Sequence, residues 1–197
     1  MLTWCIYLQD LTDKELIIRL KRGDEPAFRW LVEQHRNRVY YSVLNMLQDP
    51  DEAEDAAQET FIQVYESIHS FKEESMLSTW IYRIAIRKAL EKIRKKKTRK
   101  RLHAMLPWWM PDEKRSEEAR YLNPGIKAED KEKATALFKA IEALPDNQKV
   151  AFTLVKVQGM SYDEVCGIMQ MKIKAVESLI SRAKENLKKK LDKHYNS

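Results

Sequence analysis

Trp80, Arg83, Arg87, Glu91 and Arg94 recur at intervals of three and four residues, so a helix would gather them on one stripe. Guanidinium groups bond phosphates and base edges, and an indole ring among them can stack on an unpaired base for roughly 1–3 kcal/mol. That chemistry is the grip of a nucleic-acid strand; the alternative for Trp80 is to cover a neighbouring helix. From Arg83 to Arg101 the chain carries eleven Lys and Arg against one acid, Glu91, a local charge of +10. The whole chain is only +6, so everything else sums to −4. Charge concentrated in this way makes a footprint for a polyanion. The end of the run, KIRKKKTRKR, holds too many like charges to pack. Meeting about five phosphates, it would give log K against log salt a slope of about −4 to −5 on duplex DNA.

A second basic surface lies near the C-terminus. Ser161 and Glu164 fit a capping box, predicting a short helix to about Met169, a brief turn, and a longer helix from about Ile173. Val176, Ile180, Ala183 and Leu187 form the buried stripe of that helix, and Lys174, Glu177, Ser178, Ser181, Arg182 and Lys184 its outer face. Two helices about a short turn, over about 161–182, describe a helix-turn-helix whose second helix could read a major groove. A third surface is acidic. Asp49, Asp51, Glu52, Glu54, Asp55 and Glu59 crowd one helix start, where they complement its dipole. The stripe Asp55, Gln58, Ile62 and Glu66 sets an exposed aliphatic among polar groups, which suits a protein interface.

The elements that position these residues are helical. Leu16/Leu20, Phe28/Leu31/Val32, Val39/Tyr40/Val43/Leu47 and Ala57/Phe61/Val64/Tyr65/Ile68 repeat at three and four, and only four glycines interrupt the chain. The fold class is all-α: two small helical modules joined by a flexible linker. Residues 11–101 form the first, with Thr12 and Glu15 as a capping box, Pro50 separating two helices, and Ser78 or Thr79 capping the helix that opens at Trp80. On that helix Tyr82, Ala85, Ile86, Ala89, Leu90 and Ile93 face the core, whereas Ile84 falls among the arginines. Residues 102–130 hold Pro107, Pro111 and Pro124 without a sustained period and read as the linker. Trp108 and Trp109 within it either pack on a flanking module or dock into a partner. Residues 131–191 form the second module, with Leu137/Ile141/Leu144 ending at Pro145, Val150/Phe152/Val155 following, and a break at Gly159.

Several function classes lose support. No glycine-rich phosphate loop and no paired Cys/His set is present, and the four His (35, 69, 103, 194) are scattered. No enzyme activity, metal or cofactor is expected, nor a small-molecule substrate. Cys5 and Cys166 make no disulfide framework, which fits a reducing, cytoplasmic setting, and Cys166 reads as core. No apolar run reaches the ~18 residues of a membrane span, so no direct membrane insertion is expected.

Together these pieces resemble a bacterial RNA polymerase sigma factor of the sigma-70 family, extracytoplasmic-function (ECF) group. DAAQETFIQVYESI (55–68) is similar to that family's polymerase-core-binding segment, implying contact through Asp55, Gln58, Glu59, Phe61 and Ile62. FKEESMLSTWIYRIAIRKALEKIRKKK (71–97) resembles the segment that melts and reads the −10 promoter element. It implies DNA contact by Lys72, Ser75, Trp80, Arg83, Arg87, Lys88, Glu91, Arg94 and Lys95, with the loop around Lys72–Ser78 capturing a flipped-out base. ALPDNQKVAFTLVKVQGMSYDEV (143–165) and AVESLISRAKENLKKKL (175–191) resemble the module that reads the −35 element, implying Lys174, Glu177, Ser178, Ser181, Arg182 and Lys184 as its contacts. The sequence departs from the family at Glu73 and Gln170, where Gly is common, and at Arg87, Glu91, Glu177 and Leu179. The implied partners are core RNA polymerase, promoter DNA and an anti-sigma factor. The competing reading is an autonomous helix-turn-helix regulator that binds DNA without polymerase.

Overall fold

The computed structural model describes residues 12–105 and 128–195, and every regular element among them is helical. The first module contains α1 (Asp13–Lys21), α2 (Glu25–Leu47), α3 (Pro50–Ser67), a 3₁₀ turn (Ile68–Ser70) and α4 (Leu77–Met105). The second contains α5 (Ala128–Glu142), α6 (Asp146–Phe152), a π turn (Thr153–Val157), α7 (Tyr162–Met169) and α8 (Ile173–Tyr195). Trp108 and Trp109 lie outside the described residues.

Local chemistry sets the boundaries. Thr12 and Glu15 form the expected capping box on α1. Asp24 caps α2, accepting from the Ala27 amide at 3.1 Å, and Asp49 caps α3 from the Glu52 amide at the same distance. Pro26 and Pro50 occupy first-turn positions, where their missing N–H costs nothing. Between α2 and α3 the chain reverses at Gln48, in the left-handed region at φ 56°. Helix α4 begins one turn earlier than the sequence suggests. Ser78 and Thr79 are inside it, with the Trp80 amide bonded to the Met76 carbonyl at 3.1 Å, so neither is the cap. At 1.5 Å per residue its 29 residues span about 43 Å, and it continues past Arg101 to Met105.

Helices α2, α3 and α4 pack together around Leu31, Val39, Val43, Ala53, Val64, Ile81 and Ala85. Tyr82, Ile86, Ala89 and Ile93 face inward as their spacing predicts. Ile84 does too, at 8% exposure, correcting its placement among the arginines. The reason lies in α3: Ile84 stands one turn before Lys88, which bridges Glu59 of α3, and lines a cleft with Gln63 and Ser67 of that helix. Val150, Leu154, Met160, Val165, Ile168, Val176 and Ile180 join the same core, so one apolar interior runs through both modules. A smaller cluster of Ile141, Leu144, Ala183 and Leu187 ties α5 to α8.

In the second module, Ser161 and Glu164 complete the predicted capping box: the Ser161 amide donates to Glu164 at 2.9 Å, and the Glu164 amide to the Ser161 hydroxyl at 3.2 Å. Gly159, at φ 69°, turns the chain into α7, and Gln170 ends it at φ 54°. Gln170 and Glu73 (φ 60°), two of the departures from the resembled family's pattern, both adopt the backbone conformation glycine favours. Lys21 holds the Glu73 side chain at 2.7 Å. Cys166 is half-buried at the core's edge rather than inside it; burial and the carboxylates of Asp163 and Glu177 push its thiol pKa up.

Candidate nucleic-acid interface

Helix α4 carries the first basic surface, and the structure divides it. Arg87, Glu91, Arg94 and Lys95 are exposed, as is Lys72 in the preceding loop, and Ser75 is half-buried. Trp80 is half-buried and packs on Phe71, in the loop ahead of α4, with ring centroids 5.1 Å apart. Its remaining surface lines a cleft of about 430 Å³ together with Arg83, Arg87, Lys88 and Glu91 of α4 and Gln63, Ser67 and Ser70 below them. Arg83 is committed within the protein: its Nη2 donates to the Gly167 carbonyl at 2.8 Å, and its Nε is buried without a hydrogen-bond partner. Toward the C-terminal end, Arg94 and Lys97 reach Asp146 at 3.4 and 3.0 Å. Burial works against the ionised Asp146 carboxyl, but these two cations outweigh it and hold the pKa below the usual carboxylate range.

The second basic surface is open. On α8, Val176, Ile180, Ala183 and Leu187 are buried as predicted, and Lys174, Glu177, Ser181, Arg182 and Lys184 are exposed, with Ser178 half-exposed beside them. They occupy one face of a helix whose N-terminal end follows the turn at Gln170, the geometry of a groove-reading second helix.

The acidic surface of α3 presents Asp55, Gln58, Glu59 and Ile62, the last 58% exposed. Phe61 does not join them: at 9% exposure it anchors α3 in the core, so it positions the face without being part of it. Tyr65, in the same repeat as Phe61 and Val64, is 54% exposed one turn beyond Ile62 and packs edge-on against Phe28 at 5.0 Å. Period alone could not separate Tyr65 from Val64; its phenol, which tolerates water, is the only sequence-level hint.

An ion cluster links the acidic and basic surfaces. Lys92 lies 3.3 Å from Glu52, 3.7 Å from Asp55 and 3.4 Å from Glu59, and Lys88 lies 3.7 Å from Glu59. Partial burial disfavours the Lys92 ammonium, yet Glu52 and Glu59 raise its pKa overall. Lys92 was not singled out by sequence, because nothing in a basic run says which lysine turns inward. No group of His, Cys, Asp and Glu able to hold a metal ion occurs among the described residues, and no helix among them is long and apolar enough to cross a membrane.

Two all-α modules, one bearing a basic helix over a polar cleft and the other a helix-turn-helix with an open basic face, define a DNA-contacting protein. Residues 31–99 match the family described as Sigma-70 region 2, and residues 134–187 match that described as Sigma-70, region 4. The ECF RNA polymerase sigma-E factor of Haemophilus influenzae is 32% identical over 193 residues, covering 93% of this chain and 97% of that one. The ECF RNA polymerase sigma factor SigW of Bacillus subtilis is 32% identical over 182 residues, covering 90% and 96%. Among solved structures, CnrH in complex with the cytosolic domain of CnrY has a similar fold (TM-score 0.62, 20% identity, 91% and 97% covered). So does the sigma factor RpoE in complex with the anti-sigma factor NepR from Bartonella quintana (TM-score 0.61, 20% identity, 84% and 96% covered). The chain belongs to the ECF sigma factors of the sigma-70 family.

Proposed function

We propose that this sigma factor binds core RNA polymerase through the exposed face of α3 and directs initiation at promoters read by α4 and α8. The observation that carries this reading is the order of the matches, a region 2 segment followed by a region 4 segment, each with its polar face turned outward. Asp55, Gln58, Glu59 and Ile62, extended by Tyr65, dock on polymerase. Lys72, Ser75, Trp80, Arg83, Arg87, Lys88, Glu91, Arg94 and Lys95 grip and melt the −10 element, where unstacking a base costs a few kcal/mol and weakly held bases leave first. Lys174, Glu177, Ser178, Ser181, Arg182 and Lys184 read the −35 element in the major groove. Residues 11–101 and 131–191 are the two working domains and 102–130 the connection between them. The protein lends specificity and catalyses nothing itself. It works in the cytoplasm, and an anti-sigma factor holds it off polymerase, as the partner-bound solved relatives suggest. An autonomous regulator is not favoured, because such a protein has no use for a region 2 module.

The test is binding of the purified chain to core polymerase, followed by transcription from promoters mapped by transcript starts after overexpression. Asp55→Lys with Gln58→Ala should weaken core binding at least tenfold, and Ile62→Ala, at a side chain 58% exposed, should weaken it without lowering the melting temperature. Unchanged core binding in both would remove α3 as the interface. Tight, sequence-specific duplex binding by the free chain would favour the autonomous regulator.

A further inference from the structure

The loop between the 3₁₀ turn and α4 is short and pinned at both ends. Phe71, 4% exposed, closes one end and packs on Trp80; Leu77, 6% exposed, opens α4 at the other. Between them Lys72, Glu73, Glu74 and Met76 are exposed, and Ser75 is half-buried. To join the two buried anchors the backbone passes through the left-handed region at Glu73, φ 60°. A residue with a side chain is strained there and persists only where its surroundings hold it; such residues gather at ligand clamps. The hold here comes from outside the loop. Lys21 Nζ lies 2.7 Å from Glu73 Oε1, joining residues 52 apart in the chain. Lys21 closes α1, and α1 is itself fixed, by the Thr12–Glu15 capping box at its start and by buried Leu16, Ile17 and Leu20 along its length. Lys21 thus reaches the loop from a rigid base.

We propose that Lys21 is a positioning residue for strand capture: through Glu73 it sets the course of the loop that carries Lys72 and Ser75 toward a displaced promoter base. The inference rests on the −10 assignment and adds the residue that fixes its geometry. Lys21 acts in two ways through one contact. It holds the Glu73 side chain, and with it the left-handed step of the backbone between Lys72 and Ser75. It also offsets a carboxylate that, left free beside Glu74, would repel the phosphates of an incoming strand. A loop already in its capturing form has less ordering left to undergo when the strand arrives. Losing Lys21 therefore slows strand opening and leaves duplex docking alone. Global stability is a poor reporter of this role, because a partly exposed ion pair contributes little to it.

A double-mutant cycle read in the holoenzyme tests this. The full chain is assembled with core polymerase on a promoter mapped by transcript starts, with 2-aminopurine in the −10 element, whose fluorescence rises when the base unstacks. Titration gives the initial binding constant, and the rate at saturation gives opening. Lys21→Met should slow opening at least fivefold, with initial binding and core binding within twofold and the melting temperature lowered by no more than about 3 °C. Lys21→Arg, which keeps the cation, should stay within twofold of wild type. Glu73→Gly should restore Lys21→Met to within twofold of wild type, since glycine takes φ 60° without strain and brings no carboxylate. In the wild-type background the same change should alter opening less than twofold. Normal opening in Lys21→Met, an effect on initial binding instead, or a double variant that stays slow overturns the inference. So does an equal gain from Glu73→Gly in both backgrounds. Lys72→Ala and Arg87→Ala separate this from the reading beneath it. If they slow opening where Lys21→Met does not, the −10 assignment stands without the inference. If none of the three changes opening or promoter choice, the −10 assignment falls and the inference with it.

Discussion

Lys149 is 1% exposed, and its ammonium nitrogen has no hydrogen-bond partner in the structure. It lies on α6 beside a cavity of about 100 Å³ walled by Met46, Leu47 and Ile93 of the first module. Burial pushes its pKa down from 10.5, the nearby Lys97 charge pushes the same way, and Glu142 and Asp146 offset only part of this. Leaving a polar group buried and unpaired costs about 1–3 kcal/mol. Methionine keeps the length and flexibility of the stem without the charge, a swap whose packing cost stays below about 1.5 kcal/mol. Lys149→Met should therefore stabilise the protein by about 1–2 kcal/mol at pH 7, or about 2–8 °C in melting temperature for a chain of this size. The pH dependence has a definite sign. A lysine with a lowered folded pKa binds its proton more tightly when unfolded, so wild-type stability rises with pH between the lowered value and 10.5. The advantage of Lys149→Met shrinks over that window by at most about 1.4 kcal/mol per pH unit. Taking the difference between the two proteins cancels His35, whose pKa burial lowers, and Tyr82, whose pKa burial raises. Denaturant unfolding of both at pH 6, 7.5 and 9 measures it. A variant less stable than wild type at pH 7, or an advantage that grows with pH, would refute the reasoning.

Two further outcomes are expected. Arg87→Ala should change the rank order of promoters used, whereas neutralising Lys95, Lys96 and Lys97 should weaken all of them alike and reduce the salt slope by about 2–3; in vitro transcription at several salt concentrations separates the two, and equal losses across promoters for both would collapse the division of labour on α4. Ser161→Ala breaks the capping box that bonds Glu164, costing about 0.5–2 kcal/mol, and should lower −35 duplex binding in proportion to the unfolded fraction seen by circular dichroism.

The helices, their order and the faces of α8 were legible because period and capping are local properties. Ser161, Glu164, Val176 and Ile180 carry their signal within a few residues, and the exposed Ile62 declared itself by its place on a polar stripe. What was not legible concerns the far side of a contact. A wheel placed Ile84 among arginines, since it cannot know that α3 lies along that side. Lys149 sits in DNQKVAF, a polar helix start by pattern, yet the first module covers it. Phe61 and Tyr65 both belong to an aromatic-containing repeat, and only packing decides that one is enclosed and the other presented. Among the described residues, left-handed Gln48 carries no mark in the sequence, and Glu73 and Gln170, also left-handed, were marked only as departures from the family pattern.

The apolar interior shared by the two modules also sets how the protein unfolds. Ile81 and Ala85 of α4 and Leu154, Val165 and Ile168 of the second module belong to one buried cluster. Neither module can lose its packing without exposing apolar surface of the other, so one cooperative transition is expected where separate cores would give two. Cutting the chain between the modules would leave each half with an uncovered apolar side.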